Sequence, residues 1–295
     1  MSTAGAMDGL FASLIDDASL FPPASLPMPI AVGEHRRHRN SGYTEVVNRF
    51  LCPASRLQEL RSDLADGDRF DVGIILDTGV HGFRTVLKQS AADPRLKLTV
   101  LDMPVPSDGD QAAAVHETVH ALAKLPHQVA AFVELPRMYG WRDSLSLVAA
   151  RGYGAKLRTG GLVADAFPTE IEVAEFVRAC VAEGAPFKCT AGLHRAVRHR
   201  DDRTGFEHHG FLNILLATHA AAQGASVDEL TEILAQRDPA ELVEQVTDVG
   251  SDDPAVARQH FVGFGTCNVD EPIDDLTGLG LIEKRESAAS TMEVA

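Results

Sequence analysis

Cysteine is scarce in this chain, and its spacing excludes two classes of small protein. The 295 residues contain four cysteines, and no two of them form a C-x-x-C pair. A disulfide framework or a zinc knuckle requires closely and regularly spaced cysteines. The sequence therefore predicts reduced thiols in a cytoplasmic protein. The four are Cys52, Cys180, Cys189 and Cys267.

Long apolar runs are also missing. The N-terminal segment has no basic stretch, and its apolar run is interrupted by Asp16 and Asp17, which does not match a secretory signal. The most apolar helical stretch, residues 211–222, contains Asn213 and His219 and is too short to cross a bilayer. We therefore expect neither a signal segment nor a membrane span.

Positive charge is in deficit, which limits the expected partners. Lysine and arginine together number 27 against 42 acidic residues, so the formal net charge is −15. Such a surface repels phosphate backbones and anionic lipids. We therefore expect no nucleic-acid or membrane partner. Association into a homo-oligomer stays open.

The chain does contain a regular alternation of apolar strands and helical segments. Helical patterns at 55–65, 110–125 and 169–184 separate strands, and a capping box of Thr169 and Glu172 opens the last of them. Such alternation implies parallel strands joined by crossovers. Eight strands in a chain of this length predict a (β/α)8 (TIM) barrel. The predicted strands are 13–18, 46–53, 71–78, 97–104, 128–136, 154–160, 186–192 and 260–267.

The alternative architecture is a doubly wound open sheet. It favours a glycine-rich first turn, whereas the first turn here is "DDASLFPPAS". We therefore predict one barrel domain over residues 1–283. It includes a helical insert at 194–259 between the seventh and eighth strands, with two or three amphipathic helices over 211–248. Residues 284–295 are small and polar and are predicted to be disordered.

Two lysines lie inside predicted strands, where lysine is uncommon. Lys156 shares one side of its strand with Arg158, and Lys188 shares one side with Thr190. A lysine amine has an ordinary pKa of about 10.4 and is charged at neutral pH. Burial and a neighbouring cation both favour the neutral amine that Schiff-base enzymes use. Other polar residues predicted at the C-terminal strand ends, where barrel active sites lie, include Asp16, Asp17, Asp102 and Glu134.

Several short motifs resemble those of class I (Schiff-base) aldolases of the deoxyribose-phosphate aldolase type. "KLRTGG" at 156–161 resembles the family's K-x-x-T-G strand end, and "FKCTAGLH" at 187–194 resembles its second lysine strand. "FGTC" at 264–267 is similar to its last strand, "LIDDASL" at 14–20 to its acidic first strand, and "FLCP" at 50–53 to its second strand. The motifs occur in the same order as in that family.

The resemblance implies a role for each matched residue. Lys156 would form the Schiff base, Lys188 would lower the pKa of Lys156, and an early-strand aspartate would relay protons. Asp16 or Asp17 matches that aspartate by position, whereas Asp102 fits by location only. The sequence departs from the family at Arg158, where the family has a small hydroxyl residue. Further candidates, with roles in catalysis or substrate binding, are Glu134, Arg158, Thr159, Gly160, Thr190, Gly192, Gly265 and Thr266.

The start of the insert is rich in arginine and histidine. His194, Arg195 and Arg198 follow the second lysine strand directly, with Arg200 and Arg203 soon after. A cationic segment over a barrel mouth suits a phosphate or carboxylate. The same arginines could instead pair with acidic residues of their own loop.

The insert histidines allow a second function. His194, His199, His208 and His209 lie near acidic residues and could bind a metal in a hydrolase or isomerase. No H-E-x-x-H motif accompanies them. We therefore predict a lyase that binds a small anionic carbonyl substrate through a lysine iminium, without a separate cofactor. Metal-assisted chemistry is the alternative.

Overall fold

The structure is a computed structural model that describes residues 9–106, 109–137, 139–252 and 254–283. The predicted disordered segment 284–295 lies outside these ranges. Within the described residues, no helix combines the length and apolar character that a bilayer span requires.

Eight parallel strands close into a barrel, which confirms the predicted architecture. Each lies within a segment that the sequence predicts as a strand, apart from Phe70 and Leu96, which start one residue early. Around the barrel each strand pairs with its sequence neighbours, and the last strand pairs with the first and the seventh. The strands are β1 (Ile15–Asp17), β2 (Val47–Pro53), β3 (Phe70–Ile75), β4 (Leu96–Pro104), β5 (Ala130–Glu134), β6 (Gly154–Arg158), β7 (Phe187–Thr190) and β10 (Phe261–Thr266).

Helices cover the outside of the barrel because alternate strand residues present apolar side chains to them. On β6, for example, Ala155 and Leu157 are buried in the main apolar cluster together with Val173 and Val177 of a following helix. The helices outside the insert are α1 (Met28–Arg39), α2 (Leu57–Asp63), α3 (Phe83–Ala91), α4 (Gln111–Leu122), α5 (Trp141–Ala149), α6 (Glu170–Ala182) and α11 (Asp270–Gly278).

The insert between β7 and β10 contains a short antiparallel hairpin followed by four helices. The hairpin strands pair His199 with His208 and Arg200 with Glu207. The hairpin consists of β8 (His199–Arg200) and β9 (Glu207–His208), and the helices are α7 (Phe211–Ala222), α8 (Val227–Ala235), α9 (Pro239–Asp252) and α10 (Pro254–His260).

The prediction of amphipathic helices in the insert is wrong for α7. Every residue from Phe211 to Thr218 is buried, because α6, α8, α9, α10 and β10 pack around this helix. Asn213 is tolerated there because its amide is fully bonded. Its Oδ1 accepts from the Arg198 N–H, and its Nδ2 donates to the carbonyls of Ile233 and Gln236.

The predicted capping box at the start of α6 is present. The Glu172 N–H donates to Thr169 Oγ1 at 3.4 Å, and the Thr169 N–H donates to Glu172 Oε2 at 2.7 Å. Because both groups satisfy N–H donors that the helix leaves open, Thr169→Ala should lower the free energy of unfolding by about 0.5–2 kcal/mol. Urea denaturation measures this value.

Ser62→Ala is the matched control for this prediction. Ser62 is an exposed hydroxyl residue inside α2 that donates to the Gln58 carbonyl, so its loss should change stability by no more than about 0.5 kcal/mol. Equal effects of the two substitutions would contradict a capping role for Thr169.

Candidate active site

The two strand lysines lie side by side in the interior of the barrel. In the β6–β7 register, Lys156 is the direct partner of Lys188. Only 3% of Lys156 and 1% of Lys188 is exposed. Lys188 Nζ lies over the ring of Phe132, 5.5 Å from its centroid, and Phe132 belongs to the same side of β5 as Glu134. The lysine pair predicted from the sequence is therefore assembled on one side of adjacent strands.

Asp102 of β4 lies between the two lysines. Its Oδ2 is 3.0 Å from Lys156 Nζ and 3.5 Å from Lys188 Nζ. Each lysine has a second carboxylate. Asp16 Oδ2 lies 2.7 Å from Lys188 Nζ, and Glu134 Oε2 lies 3.2 Å from Lys156 Nζ. Three carboxylates predicted as catalytic thus contact the lysine pair.

Two arginines end this row of charges. Arg49 Nη1 is 3.3 Å from Asp16 Oδ1, and Arg158 Nε donates to Glu134 Oε1 at 3.0 Å. The result is a charge row of alternating sign: Arg49, Asp16, Lys188, Asp102, Lys156, Glu134 and Arg158. It contains four cations and three carboxylates, so the row has an excess of one positive charge when all are ionised.

The centre of the charge row has unused hydrogen-bonding capacity. Both carboxylate oxygens of Asp102 and the Nζ of Lys188 are buried, and within the described residues none makes a contact with hydrogen-bond angles. The close lysine–carboxylate contacts are therefore ion pairs rather than directional hydrogen bonds. Buried polar atoms without hydrogen bonds cost free energy, and a catalytic role is one explanation for their presence.

The resting charge of Lys156 follows from its neighbours. Burial favours the neutral amine, but the carboxylates of Asp102 and Glu134 outweigh burial and raise the pKa of Lys156. Burial likewise opposes ionisation of Asp102 and Glu134. The cations, Lys156 foremost, outweigh it and lower the pKa of both carboxyl groups. Lys156 is therefore an ammonium at neutral pH. The sequence predicted that Lys188 lowers the pKa of Lys156. The structure gives the opposite direction, because Asp102 lies between the two lysines.

Asp17 lies apart from this site. Its Oδ2 is 3.0 Å from His35 Nδ1 of α1, and its Oδ1 accepts from the Ser19 N–H. Successive strand residues point to opposite sides, so Asp16 faces the lysines and Asp17 faces the helix. Of the two aspartates that the sequence left open on β1, Asp16 is the one that contacts Lys188.

A tight crossing joins the ends of the two lysine strands. The Thr159 N–H donates to the Thr190 carbonyl at 2.8 Å, and Thr159 Oγ1 donates to the Ala191 carbonyl. Gly192 has a φ of +76°, and a Cβ there would lie 2.9 Å from Thr159 O. A Cβ on Gly160 would lie 2.9 Å from Gly192 Cα. Four predicted binding residues and Ala191 form a strand clamp, consisting of Thr159, Gly160, Thr190, Ala191 and Gly192.

Three of the four arginines at the start of the insert have carboxylate partners, and Arg200 donates to the Gly205 carbonyl. Arg195 Nη2 is 2.7 Å from Asp275 Oδ1, and Arg198 Nη2 is 2.7 Å from Glu170 Oε1. Arg203 is largely exposed and lies 3.7 Å from Asp201. The pairing of these arginines with carboxylates corresponds to the second alternative left open by the sequence, although two of the partners lie outside the loop.

The last strand contributes Gly265 and Thr266. Gly265 is in register with Asp16 on one side and Thr190 on the other. The hydroxyl of Thr266 donates to the Asn268 carbonyl and lies 3.3 Å from His194 Nδ1. These two residues and His194 therefore form a second group of predicted binding residues, beside β7 and β1.

The insert histidines do not converge on a common point. Within the described residues, none of them belongs to a group of three ligand atoms lying within 4.8 Å of one another. Glu34, His38 and Asp270 do form such a group, but Arg37 pairs with both carboxylates at 2.6 Å. We interpret that group as a salt-bridge network.

A surface pocket of about 570 Å³ lies away from the lysines. Trp141, Leu157 and Phe176 line it, so it lies on the helix side of β6, opposite Lys156. The arginines at its edge are paired with Glu172 and Glu175. The charge row, not this pocket, has the chemistry that the sequence predicts.

Arg49 and Phe132 are site residues that the sequence analysis missed. Arg49 lies inside the predicted strand 46–53, and a cation within a strand was the signal that identified both lysines. The same signal, applied to every strand, identifies Arg49 as well. Phe132 gave no such signal, because an aromatic residue in a strand is ordinary.

Comparison with known proteins gives no relative: no family model, no curated protein and no solved structure matches this chain. The fold and the site therefore define the class directly. The chain is a (β/α)8 barrel with two buried lysines on adjacent strands. Barrels of this fold are commonly enzymes, with their active sites at the C-terminal ends of the strands.

Proposed function

We propose that the protein is a lyase of the class I aldolase type. Lys156 would form an iminium with a small carbonyl substrate and make or break the carbon–carbon bond beside it. The observation that supports this most directly is the shared carboxylate: Asp102 contacts both buried lysines. A purely structural role for two buried ammonium groups is costly, since each must be desolvated.

The first step requires a neutral amine at Lys156. Its proton can pass to Asp102 at 3.0 Å or to Glu134 at 3.2 Å. Once Asp102 is protonated, it no longer stabilises an ammonium at Lys156. Burial and the nearby cation at Lys188 then both favour the neutral form. Proton transfer within the charge row thus produces the nucleophile that the resting state lacks.

The bond changes follow from the amine. The Lys156 nitrogen adds to the carbonyl carbon, and the carbonyl oxygen takes the proton that the nitrogen loses. The resulting hydroxyl takes the proton that Asp102 or Glu134 received from the ammonium, and it leaves as water. The resulting iminium withdraws electrons from the adjacent carbon–carbon bond, which breaks in one direction and forms in the other. Asp102 and Glu134 lie within reach of Lys156 Nζ to exchange the protons that these steps require.

An anionic substrate suits the charge balance of the site. The charge row has one more cation than carboxylates, and Arg158 is half exposed with its bond to Glu134 made through Nε. Its terminal nitrogens can bind a phosphate or carboxylate. Arg158→Ala should therefore raise KM about tenfold, since a charge-assisted pair contributes about 1.5–3 kcal/mol.

Arg203→Ala is the control for that prediction. Arg203 has an 89% exposed side chain and pairs with Asp201 at 3.7 Å, so KM should stay within about twofold of wild type. A tenfold rise for Arg203→Ala with no change for Arg158→Ala would mean that the insert, not β6, binds the anion.

Borohydride trapping tests the proposed function. The protein is incubated with acetaldehyde, acetone or pyruvate, reduced, digested and mapped by mass. Reduction of the iminium leaves a stable secondary amine, and we expect the adduct on Lys156 at substrate concentrations that leave surface lysines unmodified. Adducts confined to exposed lysines would contradict the proposal.

A further inference from the structure

Three residues near the end of β10 form a cluster that the proposed reaction does not use. Cys267 directly follows β10, and its Sγ lies 3.8 Å from His194 Nε2. His194 Nδ1 lies 2.8 Å from Glu271 Oε2 in the first turn of α11. Cys267 is 9% exposed, and the Glu271 side chain is 41% exposed. We call these three residues the thiol cluster.

The order of contacts in the thiol cluster is that of an activated nucleophile. A carboxylate only accepts hydrogen bonds, so the Nδ1–H of His194 donates to Glu271 and leaves Nε2 free to take the thiol proton. A nucleophile beside a base that a third group orients is the general arrangement for activating serine or cysteine. The thiolate, not the thiol, is the reactive form.

The surroundings of His194 make its imidazole a stronger base. Burial opposes a charged imidazole, but the contacts with Cys267 and Glu271 outweigh burial and raise the pKa of His194 to about 9. Two other ionisable groups lie nearby. Arg195 acts on Glu271 while bound to Asp275, and burial lowers the pKa of His208.

The remaining cysteines provide an internal contrast. Burial raises the pKa of Cys52 to about 12 and raises the pKa of Cys180 and Cys189 well above the ordinary value. Within the described residues, none of these three has a histidine contact like that of Cys267, and the Cys52 thiol donates to the Pro53 carbonyl. Of the four thiols, Cys267 is the one placed beside a base.

We propose that the thiol cluster is a second covalent site, which captures an aldehyde as a thiohemiacetal on Cys267. The sulfur forms a bond to the carbonyl carbon, and the electrons of the carbon–oxygen π bond move to oxygen. That oxygen takes the proton that His194 removed from the thiol, so no further reactant is required. The choice of an aldehyde rests on the proposed function, because an aldolase-type reaction produces or consumes one. The reactivity of Cys267 does not depend on the proposed function.

Alkylation with iodoacetamide tests the reactivity of Cys267. At pH 7 we expect Cys267 to react about ten times faster than an ordinary thiol, and faster still than the other three cysteines. Mass mapping identifies the labelled residue. A rate equal to that of the buried cysteines would overturn the proposal.

Variants of the cluster separate activation from simple exposure. His194→Asn removes the base, and Glu271→Gln changes a side chain that is 41% exposed. Both should slow alkylation of Cys267 at pH 7, His194→Asn by about tenfold. Arg195→Gln changes a neighbouring charge without touching the thiol and should leave the rate within about twofold. Full wild-type labelling of Glu271→Gln and His194→Asn would contradict activation by the cluster.

Competition with propanal tests the capture of an aldehyde. Propanal should slow iodoacetamide labelling of Cys267 in wild type and equally in Lys156→Ala, where no Schiff base can form at that position. Slowing in wild type but not in Lys156→Ala would assign the aldehyde to Lys156 and overturn the thiohemiacetal. Slowing in both, together with a failed borohydride experiment, would retain the thiol site while the lyase function fails.

Discussion

Lys156→Ala is expected to abolish borohydride trapping and to lower kcat by roughly a thousandfold or more. The alanine variant has no amine to form the iminium, and loss of a covalent nucleophile generally costs several orders of magnitude. The variant should still fold. It removes one buried cation from a row that has one in excess, and Arg158 stays bound to Glu134. Trapping with mass mapping and steady-state kinetics measure both quantities.

Lys97→Ala is the matched control for Lys156→Ala. Lys97 also lies on a barrel strand, but it is largely exposed and pairs with Asp71. Its removal should leave trapping and turnover unchanged. If Lys156→Ala retained wild-type turnover, Schiff-base catalysis at this position would be wrong. Trapping at Lys188 in its place would move the nucleophile to the neighbouring strand.

Asp102→Ala is expected to lower the free energy of unfolding strongly. The substitution leaves two buried ammonium groups that have lost a shared partner, and removing one member of a buried ion pair costs about 3–5 kcal/mol of unfolding free energy. Guanidinium denaturation of wild type and variant measures the difference.

Asp71→Ala is the control for this prediction. Asp71 pairs with Lys97 on the exposed side of neighbouring strands, where an ion pair contributes no more than about 1 kcal/mol. A cost for Asp102→Ala as small as that of Asp71→Ala would mean that Asp16 and Glu134 alone stabilise the two lysines. Asp102→Asn keeps the shape of the side chain and removes its charge, so it separates the electrostatic cost from the cavity.

The fold was predictable because its signals are local. The alternation of apolar strands with helical segments reports which residues face the helices, and the eight strand segments followed from it. The helix α7 was predicted as well, but its burial was not, since its apolar residues extend to all sides and a polar residue, Asn213, interrupts them. Its burial depends on four other helices that pack around it, and the sequence of α7 alone does not indicate that packing.

The site was predictable in part for the same reason. Lys156, Lys188, Asp102 and Glu134 stood out as charged residues in or at the ends of strands. The ion pairs between their side chains could not be predicted, because distances between strands depend on barrel register. The sequence therefore predicted a pKa of Lys156 lowered by Lys188. The structure has Asp102 between the two lysines, and the pKa is raised. Which of Asp16 and Asp17 faces inward likewise depended on the phase of β1.

The strand clamp separates the site from the insert that follows it. The Thr159 hydroxyl and the close approach of Gly160 to Gly192 fix the chain two to four residues after Lys188. A long segment begins directly beyond that point. Changes of length or sequence in the hairpin β8–β9 are thus kept from shifting the lysines. The hairpin is the part of this insert that can diversify, or be exchanged by design, while the chemistry of the interior is retained.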